Sequence, residues 1–194
     1  MRGSLSRWRL RSALRGPRAF VLWALLVLVV AAIVIACYGV WLYRRDKIRA
    51  ETGATYMLLV ETTVACETYA DDRGLSVRDI PVDNSVVNAG AKALAQMVLS
   101  EPGYLRVDLL RDRGYLKEDT DGNQMLIDSW GNPVIFIPGA HYGSTFQYRN
   151  ARGESFTVRA RRHTSDHGYQ LWSLGPNGVD DRGGGDDVVP RYEE

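Results

Sequence analysis

The segment Leu174–Asp187 holds the residue types best suited to binding a metal ion. Its oxygen-bearing side chains are those of Asn177, Asp180, Asp181, Asp186 and Asp187. Five glycines follow Leu174 and allow backbone carbonyls to turn inward. Calcium takes roughly six to eight oxygen ligands of these kinds, and clustered carboxylates repel one another when no cation is present. The segment therefore predicts a calcium-binding loop, with a solvated acidic turn as the alternative.

Two other segments combine residues that could do chemistry. Asp119–Asn123 is similar to the start of an EF-hand loop, but its glycine is misplaced and no glutamate closes it, so we interpret it as a turn. His163 and His167 flank Ser165 and Asp166 in a polar loop. A histidine pair of this spacing serves zinc only on a helix with a third ligand, and hydrolysis needs a nucleophile within reach of its base. We therefore expect no enzyme, and an anchored hydrolase using either histidine is the alternative.

The placement of the acidic loop and of the rest of the chain depends on one element, the uncharged apolar run Ala19–Tyr43. At about 1.5 Å per residue, a helix of this length spans roughly 37 Å, which is enough to cross a hydrocarbon core of about 30 Å. Lipid offers no partner to free backbone groups, so the run is predicted to be helical throughout. The alternative is a buried core helix of a soluble protein, which rarely stays fully apolar for so long.

Two other interpretations of the apolar run involve processing. A cleaved signal peptide has an apolar core of about 7–15 residues, and this run is longer. Val34–Cys37 loosely resembles a lipobox, so lipidation of Cys37 is an alternative, although the apolar sequence continues to Tyr43. If one helix carries Cys37 and Cys66, the two lie roughly 43 Å apart and cannot form a disulfide.

Charge is distributed unevenly along the chain. Residues 1–18 hold six arginines and no acid, so the remainder carries 18 basic against 23 acidic residues, which is not the balance of a nucleic-acid-binding protein. The positive-inside rule places the basic tail 1–18 in the cytoplasm and residues 44–194 outside. The predicted divisions are the tail 1–18, the membrane helix 19–43 and an outer domain 44–194.

The outer domain is predicted to be α+β. Residues 44–73 lack proline and repeat apolar side chains at helical spacing, so the membrane helix is expected to continue to Gly74, a plausible left-handed cap. A second helix is predicted over Val86–Leu99, capped by Asn84 or Ser85. Residues 104–116 suggest a short helix and a turn at Gly114. Five short runs are predicted to be strands of one small antiparallel sheet at about 125–172. They are 125–127, 134–137, 145–148, 156–158 and 169–172.

Several motifs resemble the major pseudopilins of type II secretion systems. Asp128-Ser129-Trp130-Gly131-Asn132-Pro133 is similar to that family's D-P-W-G-N-P signature. The other similar segments, in the family's order, are Tyr69–Gly74, Gly114–Leu116, Tyr169–Gly178 and Asp186–Val188. The resemblance implies a pilin-like fold, a long N-terminal helix packed on a small antiparallel sheet with a C-terminal calcium-type loop. Trp130 is expected to fill the gap between helix and sheet.

The resemblance also implies a ligand set for the calcium ion. It comprises the backbone carbonyls of Leu174 and Val179 and the side chains of Asn177, Asp186 and Asp187. The family has aspartate where this chain has Asn177, which removes one charge. The stretch from Val179 to Asp186 is longer than in the family, so Asp180 and Asp181 are alternative ligands.

The resemblance implies a structural, non-enzymatic component of a type II secretion or pilus-like apparatus, packed against other pilin-like subunits. Pseudopilins carry a leader ending in glycine and a glutamate near the start of the mature helix. Here Gly16-Pro17-Arg18-Ala19-Phe20 occupies that junction, and no acid lies between Met1 and Tyr43. We therefore expect the arginine-rich tail to be retained. The missing glutamate favours a second hypothesis, a repurposed membrane-anchored binding domain that does not polymerise.

Overall fold

The computed structural model describes residues 17–100, 104–119, 121–159 and 168–190. The chain divides into two compact units, Met1–Lys47 and Ile48–Glu194. The predicted His163–His167 cluster and most of the basic tail lie outside the described residues.

One long helix, α1, runs over Pro17–Arg73 and contains 57 residues. Its only proline is Pro17, the first residue, where a missing N–H costs no helical hydrogen bond. The helix ends where Gly74 takes a φ of +62°, and the Leu75 N–H donates to the Ala70 carbonyl at 2.8 Å. A glycine in this conformation lets the last carbonyls find donors. The prediction of one continuous helix ending at Gly74 is confirmed.

The N-terminal unit presents its apolar side chains outward. Within α1 the most apolar window has none of its residues buried, which is not the environment of a core helix. This helix is long and apolar enough to cross a membrane, and a signal sequence would have the same properties. At its far end Tyr38 stacks on Trp41, and the Arg45 guanidinium lies 5.4 Å from the Trp41 ring centre. Aromatic and basic residues of this kind favour the boundary between lipid and water.

In the outer unit, α1 buries one face. Its buried apolar residues fall at helical spacings on that face and are Leu58, Leu59, Ala65, Cys66 and Ala70. They join the main core together with the fully buried Phe136, Phe146 and Tyr148. Trp130 is half-buried and packs against this core, in agreement with its expected place. Both cysteines are free, with Cys37 exposed and Cys66 buried.

The second helix, α2, covers Ala89–Leu99, so the predicted start at Val86 is wrong. The Asp83 carboxylate accepts hydrogen bonds from the backbone N–H and hydroxyl of Ser85, which forms a turn instead of a first helical turn. Asn88 then takes a left-handed φ of 59° and exchanges hydrogen bonds with Gln147 and Arg149. These bonds hold Asn88 against a neighbouring strand, so that the helix begins only at Ala89. A short helix, α3, follows at Val107–Asp112 and ends before Gly114, as expected.

Among the described residues six strands form three antiparallel pairs, so the predicted single sheet is wrong. The first pair is β1 (Leu116–Glu118) with β2 (Gln124–Leu126), and β1 was not predicted. The second pairs β3 (Ile135–Pro138) with β6 (Tyr169–Trp172), and the third pairs β4 (Thr145–Arg149) with β5 (Ser155–Arg159). Between β2 and β3 the pairing is the single bridge Ile127–Pro133, which the Asp128 N–H and the Val134 N–H make with the carbonyls of Asn132 and Leu126. The α+β class is confirmed: α1 contacts small antiparallel sheets, and α2 packs on β2, β3 and β4.

Candidate metal centre and its supporting turn

The acidic loop 174–187 leaves the core directly after β6. Its base is closed by an antiparallel bridge in which Ser173 and Val188 exchange N–H to carbonyl bonds of 2.9 and 3.0 Å. Leu174 is fully buried and anchors the first residue of the loop in the core. The loop is therefore held at both ends, and its conformation is set by the short bonds between them.

Gly175 fixes the path of the loop across its own base. It has a φ of +62°, and a Cβ placed there would lie 2.1 Å from the Asp186 carbonyl oxygen. No side chain fits at that distance from a backbone oxygen. The loop thus depends on glycine here to bring Asp186 back against its beginning.

Asn177 lies between two of the predicted acidic ligands. Its backbone N–H donates to Oδ2 of Asp186 at 3.1 Å, and its side-chain Nδ2 donates to Oδ1 of the same carboxylate. The same Nδ2 lies 3.5 Å from Oδ2 of Asp181. Asn177 therefore holds Asp186 by two hydrogen bonds and offers a weaker one to Asp181.

The orientation of the Asn177 amide follows from its other neighbour. Oδ1 accepts a hydrogen bond from the Val179 N–H at 2.6 Å. The reverse orientation would put an NH₂ group against that N–H donor and an oxygen against the Asp186 carboxylate, and both contacts would repel. Asn177 consequently presents donors to the acidic residues, whereas a calcium ligand must present oxygen. The ligand set implied by the resemblance does not fit calcium in this arrangement.

The remaining carboxylates find protein donors to different extents. Asp180 accepts from the Trp172 indole N–H at 3.2 Å and from the Arg182 N–H at 3.0 Å. Asp187 accepts from the Gly183 N–H at 2.8 Å, while its Oδ1 is buried without a hydrogen-bond partner among the described residues. Burial, and then the nearby charges of Asp180 and Asp181, raise the pKa of Asp187 to about 7.

The predicted residues are gathered in one loop but do not converge on one point. Among the described residues, no three His, Cys, Asp or Glu side chains come close enough to hold a metal ion. The Val179 side chain is exposed, and Asp181 lies on the outer surface of the loop. Calcium binding by this loop stays a prediction, and the orientation of the Asn177 amide is the observation that disfavours it.

The EF-hand-like segment connects β1 to β2. Oδ1 of Asp119 accepts from the backbone N–H groups of Asp121 and Asn123 at 2.9 and 2.8 Å. Oδ2 of Asp119 pairs with the Lys92 ammonium at 2.5 Å, and that contact contributes most to lowering the pKa of Asp119 to about 2. Its carboxylate therefore organises a hairpin turn, in agreement with the interpretation of this segment as a turn.

The turn Asp128–Asn132 supports the base of the acidic loop. The Ser173 hydroxyl donates to Oδ2 of the buried Asp128 at 2.6 Å, and Ser173 Oγ accepts from the Gly175 N–H at 3.1 Å. Asn132 Nδ2 donates to the Gly175 carbonyl at 3.0 Å. Farther along the loop, Asn150 Nδ2 donates to the Gly178 carbonyl at 3.1 Å. Side chains from two turns thus hold one loop carbonyl on each side of Asn177.

Asp128 is the central acceptor of this network. Its Oδ1 accepts from the backbone N–H groups of Trp130 and Asn132 at 2.9 and 2.8 Å. Burial raises the pKa of Asp128 to about 6, although the bonds from Ser173, Asn132 and Trp130 act in the opposite direction. Desolvation of the charged carboxylate therefore outweighs its hydrogen bonds.

The same turn is fastened to α1 through Ser129. The Thr55 hydroxyl donates to Ser129 Oγ at 2.9 Å, and the Ser129 N–H donates to Thr55 Oγ1 at 3.2 Å. The Tyr115 hydroxyl lies 3.5 Å from Ser129 Oγ. The resembling family has proline at the position of Ser129, and proline could make neither bond. The turn therefore connects the long helix to the acidic loop, through Ser129 to Thr55 and through Asp128 to Ser173.

Replacing Thr55 with valine is expected to destabilise the outer unit by about 1–2 kcal/mol, because the partly buried Ser129 N–H loses its acceptor. The control is Thr62→Val. Thr62 is equally buried on α1, but its hydroxyl donates at 2.7 Å to Leu58, a carbonyl of its own helix that keeps a backbone donor. Denaturant unfolding of the full chain in detergent compares the two variants. Equal losses would show that the bond to Ser129 contributes nothing beyond burial of a threonine.

Sequence reasoning identified the acidic residues and missed the polar residues that place them. Thr55 and Asn150 belong to no motif, Ser173 lies in the Tyr169–Gly178 segment without a predicted role, and the partners of all three lie far away in the chain. The one available signal was the departure of Ser129 from the family's proline. No protein-family model, curated protein or solved structure matches this chain.

Proposed function

We propose that this chain is a non-enzymatic, single-pass inner-membrane protein with a pseudopilin-like outer unit. It serves as a structural component of a type II secretion or pilus-like apparatus, with its N-terminus in the cytoplasm and its outer unit in the periplasm. Other pilin-like subunits are its proposed partners, through packing of the long helices. The observation that supports this best is the continuous helix Pro17–Arg73, whose apolar half is exposed and whose second half packs on small antiparallel sheets.

The outer half of α1 offers a surface for such packing. Met57 and Val64 lie seven residues apart, on one face of the helix, and are 53% and 59% exposed. Gly53 and Ala54 extend this face with small exposed residues. Apolar side chains exposed along one helical face are typical of contacts with other chains.

The experiment places a photo-crosslinking amino acid at Val64 in the full chain and irradiates native membranes. We expect adducts with pilin-like subunits, identified by mass spectrometry. The control position is Arg152, which is exposed in the turn between β4 and β5 and is not part of α1. Adducts at Arg152 alone, or none with pilin-like subunits at Val64, would contradict the proposal.

The second candidate is a membrane-anchored binding domain that does not polymerise. It is favoured by the absence of any acid between Met1 and Tyr43, since the resembling family uses a glutamate there in assembly. The same irradiation distinguishes the two, because this candidate predicts adducts with proteins that are not pilin-like. The intact mass of the membrane-extracted protein adds a second criterion: a retained arginine-rich tail favours an anchor, and a mass beginning near Phe20 favours assembly.

A further inference from the structure

Asn177 lies in the acidic loop where a bound cation would be expected to contact the carboxylates. Two carboxylates, those of Asp186 and Asp181, face its Nδ2, and Asp186 also receives its backbone N–H. A bound cation would satisfy such oxygens by coordination, and here amide N–H groups satisfy them by hydrogen bonding.

We propose that Asn177 closes the acidic loop in place of a metal ion, so that the outer unit keeps its loop without calcium. Asp186 returns to the start of the loop because two N–H groups of Asn177 hold both its oxygens. No cation is needed to bring Asp186 there, and the donor that replaces it is built into the chain.

The rest of the loop is held by protein groups as well. Asp180 is bound by the Trp172 indole and the Arg182 N–H, and Asp187 by the Gly183 N–H. The base is secured by the Ser173–Val188 bridge and by the bonds that Asn132 and Asn150 give to loop carbonyls. A loop fixed by this many internal bonds does not depend on an ion to define its conformation.

The amide at position 177 also disfavours a cation in its own neighbourhood. Its NH₂ group carries partial positive charge and points toward the acids, and it cannot reverse without losing the bond to Val179. An aspartate there would keep the bond to Val179 with one oxygen and turn the other toward Asp186. A single substitution should therefore exchange an internally closed loop for a metal-dependent one.

The test is Asn177→Asp in the full chain, unfolded by heat in detergent with excess EDTA or with millimolar calcium. We expect the midpoint of the wild-type chain to be the same in both conditions. The midpoint of the variant should fall in EDTA by on the order of 5 °C and recover in calcium, because the new carboxylate repels Asp186 until a cation joins them. Asn84→Asp is the control, since it adds the same charge at an exposed position outside the loop and should not respond to calcium.

Direct binding supplies the second measurement. Trp172 donates to Asp180 and can sensitise terbium bound in the loop, so terbium luminescence should increase for Asn177→Asp and not for the wild type. Calcium that binds the wild-type chain and raises its midpoint would overturn the inference, and so would an Asn177→Asp chain indifferent to EDTA. The inference is independent of the proposed function, because crosslinking at Val64 does not report on the loop.

Discussion

Replacing Gly90 with alanine is expected to destabilise the outer unit by about 3 kcal/mol or more, enough to prevent stable folding of a marginal domain. Gly90 lies near the start of α2 and is buried. A Cβ there would be 2.2 Å from the Phe136 carbonyl oxygen and 2.4 Å from the Tyr148 hydroxyl. These distances are far below van der Waals contact, so the helix or the strand must move.

Neither neighbour of Gly90 can yield easily. Phe136 lies in β3, where it is paired in register with Leu171 of β6, and its side chain is fully buried. The Tyr148 hydroxyl lies 3.4 Å from both the N–H and the carbonyl of Phe136, inside the core. Moving either group breaks a ladder or a buried polar contact. The absent side chain of Gly90 is therefore what lets α2 approach β3.

The matched control is Gly53→Ala, also a helical glycine replaced by alanine. Apart from the neighbouring residues and backbone of its own helix, no heavy atom lies within 4 Å of a Cβ at Gly53, which is solvent-exposed in the middle of α1. Alanine is the better helix former by about 0.5–1 kcal/mol, so this variant should be slightly more stable than the wild type. Thermal unfolding of both full chains, followed by tryptophan fluorescence, should give shifts of opposite sign. A Gly90→Ala chain as stable as the wild type would show that α2 does not approach β3 this closely.

Patterns that depend on local sequence were predicted well. The helix to Gly74, the short helix before Gly114 and five of the six strands in the described part of the chain follow from apolar periodicity and turn residues. The errors arose where distant residues decide. Asn88 looks like part of a helix from its neighbours, yet its bonds to Gln147 and Arg149 keep it outside. β1 is three residues long with mixed polarity, and only its partner β2 makes it a strand.

In the acidic loop, too, the local composition can be read from the sequence, whereas the orientation of single groups depends on their contacts. The sequence places four aspartates and Asn177 within one short segment, and that composition predicts a calcium-binding loop or a solvated acidic turn. It does not indicate which way the Asn177 amide points, because the Val179 N–H and the Asp186 carboxylate decide that together. Whether the loop coordinates a cation or closes on itself depends on that orientation. From the residue types alone, both coordination of a cation and closure by internal hydrogen bonds are possible.

Replacing Asp128 is expected to have the second large effect on the free energy of unfolding, and the sign of that effect depends on pH. The folded chain raises the pKa of Asp128 to about 6, above its ordinary value of 3.8, so the folded state binds a proton more tightly than the unfolded state. Stability conferred by the protonated carboxyl is present below about pH 4 and is lost as pH rises through about 6. The corresponding loss is on the order of 3 kcal/mol.

Asp128→Asn should remove this dependence. Its amide oxygen can still accept from Trp130 and Asn132, and its NH₂ can donate to the Ser173 hydroxyl oxygen. We therefore expect the difference in unfolding free energy between Asp128→Asn and wild type to shift in favour of the variant between pH 4 and pH 7. Denaturant titrations of the full chain at several pH values measure it. A constant difference across this range would mean that Asp128 is not desolvated in the folded chain.

Asp128→Ala separates the charge from the hydrogen bonds. Alanine leaves the Trp130 and Asn132 N–H groups and the Ser173 hydroxyl without their shared acceptor, at a cost of about 2–4 kcal/mol at acid pH, where the carboxyl it replaces is neutral. Near neutral pH the cost should be smaller, because the wild type then carries the buried charge. A stabilised asparagine variant beside a destabilised alanine variant would show that the acceptor geometry of Asp128, rather than its charge, holds α1, the turn and the acidic loop together. Since Ser129 and Ser173 connect this turn to both neighbours, the loss should also reach the loop, where Trp172 fluorescence would report it.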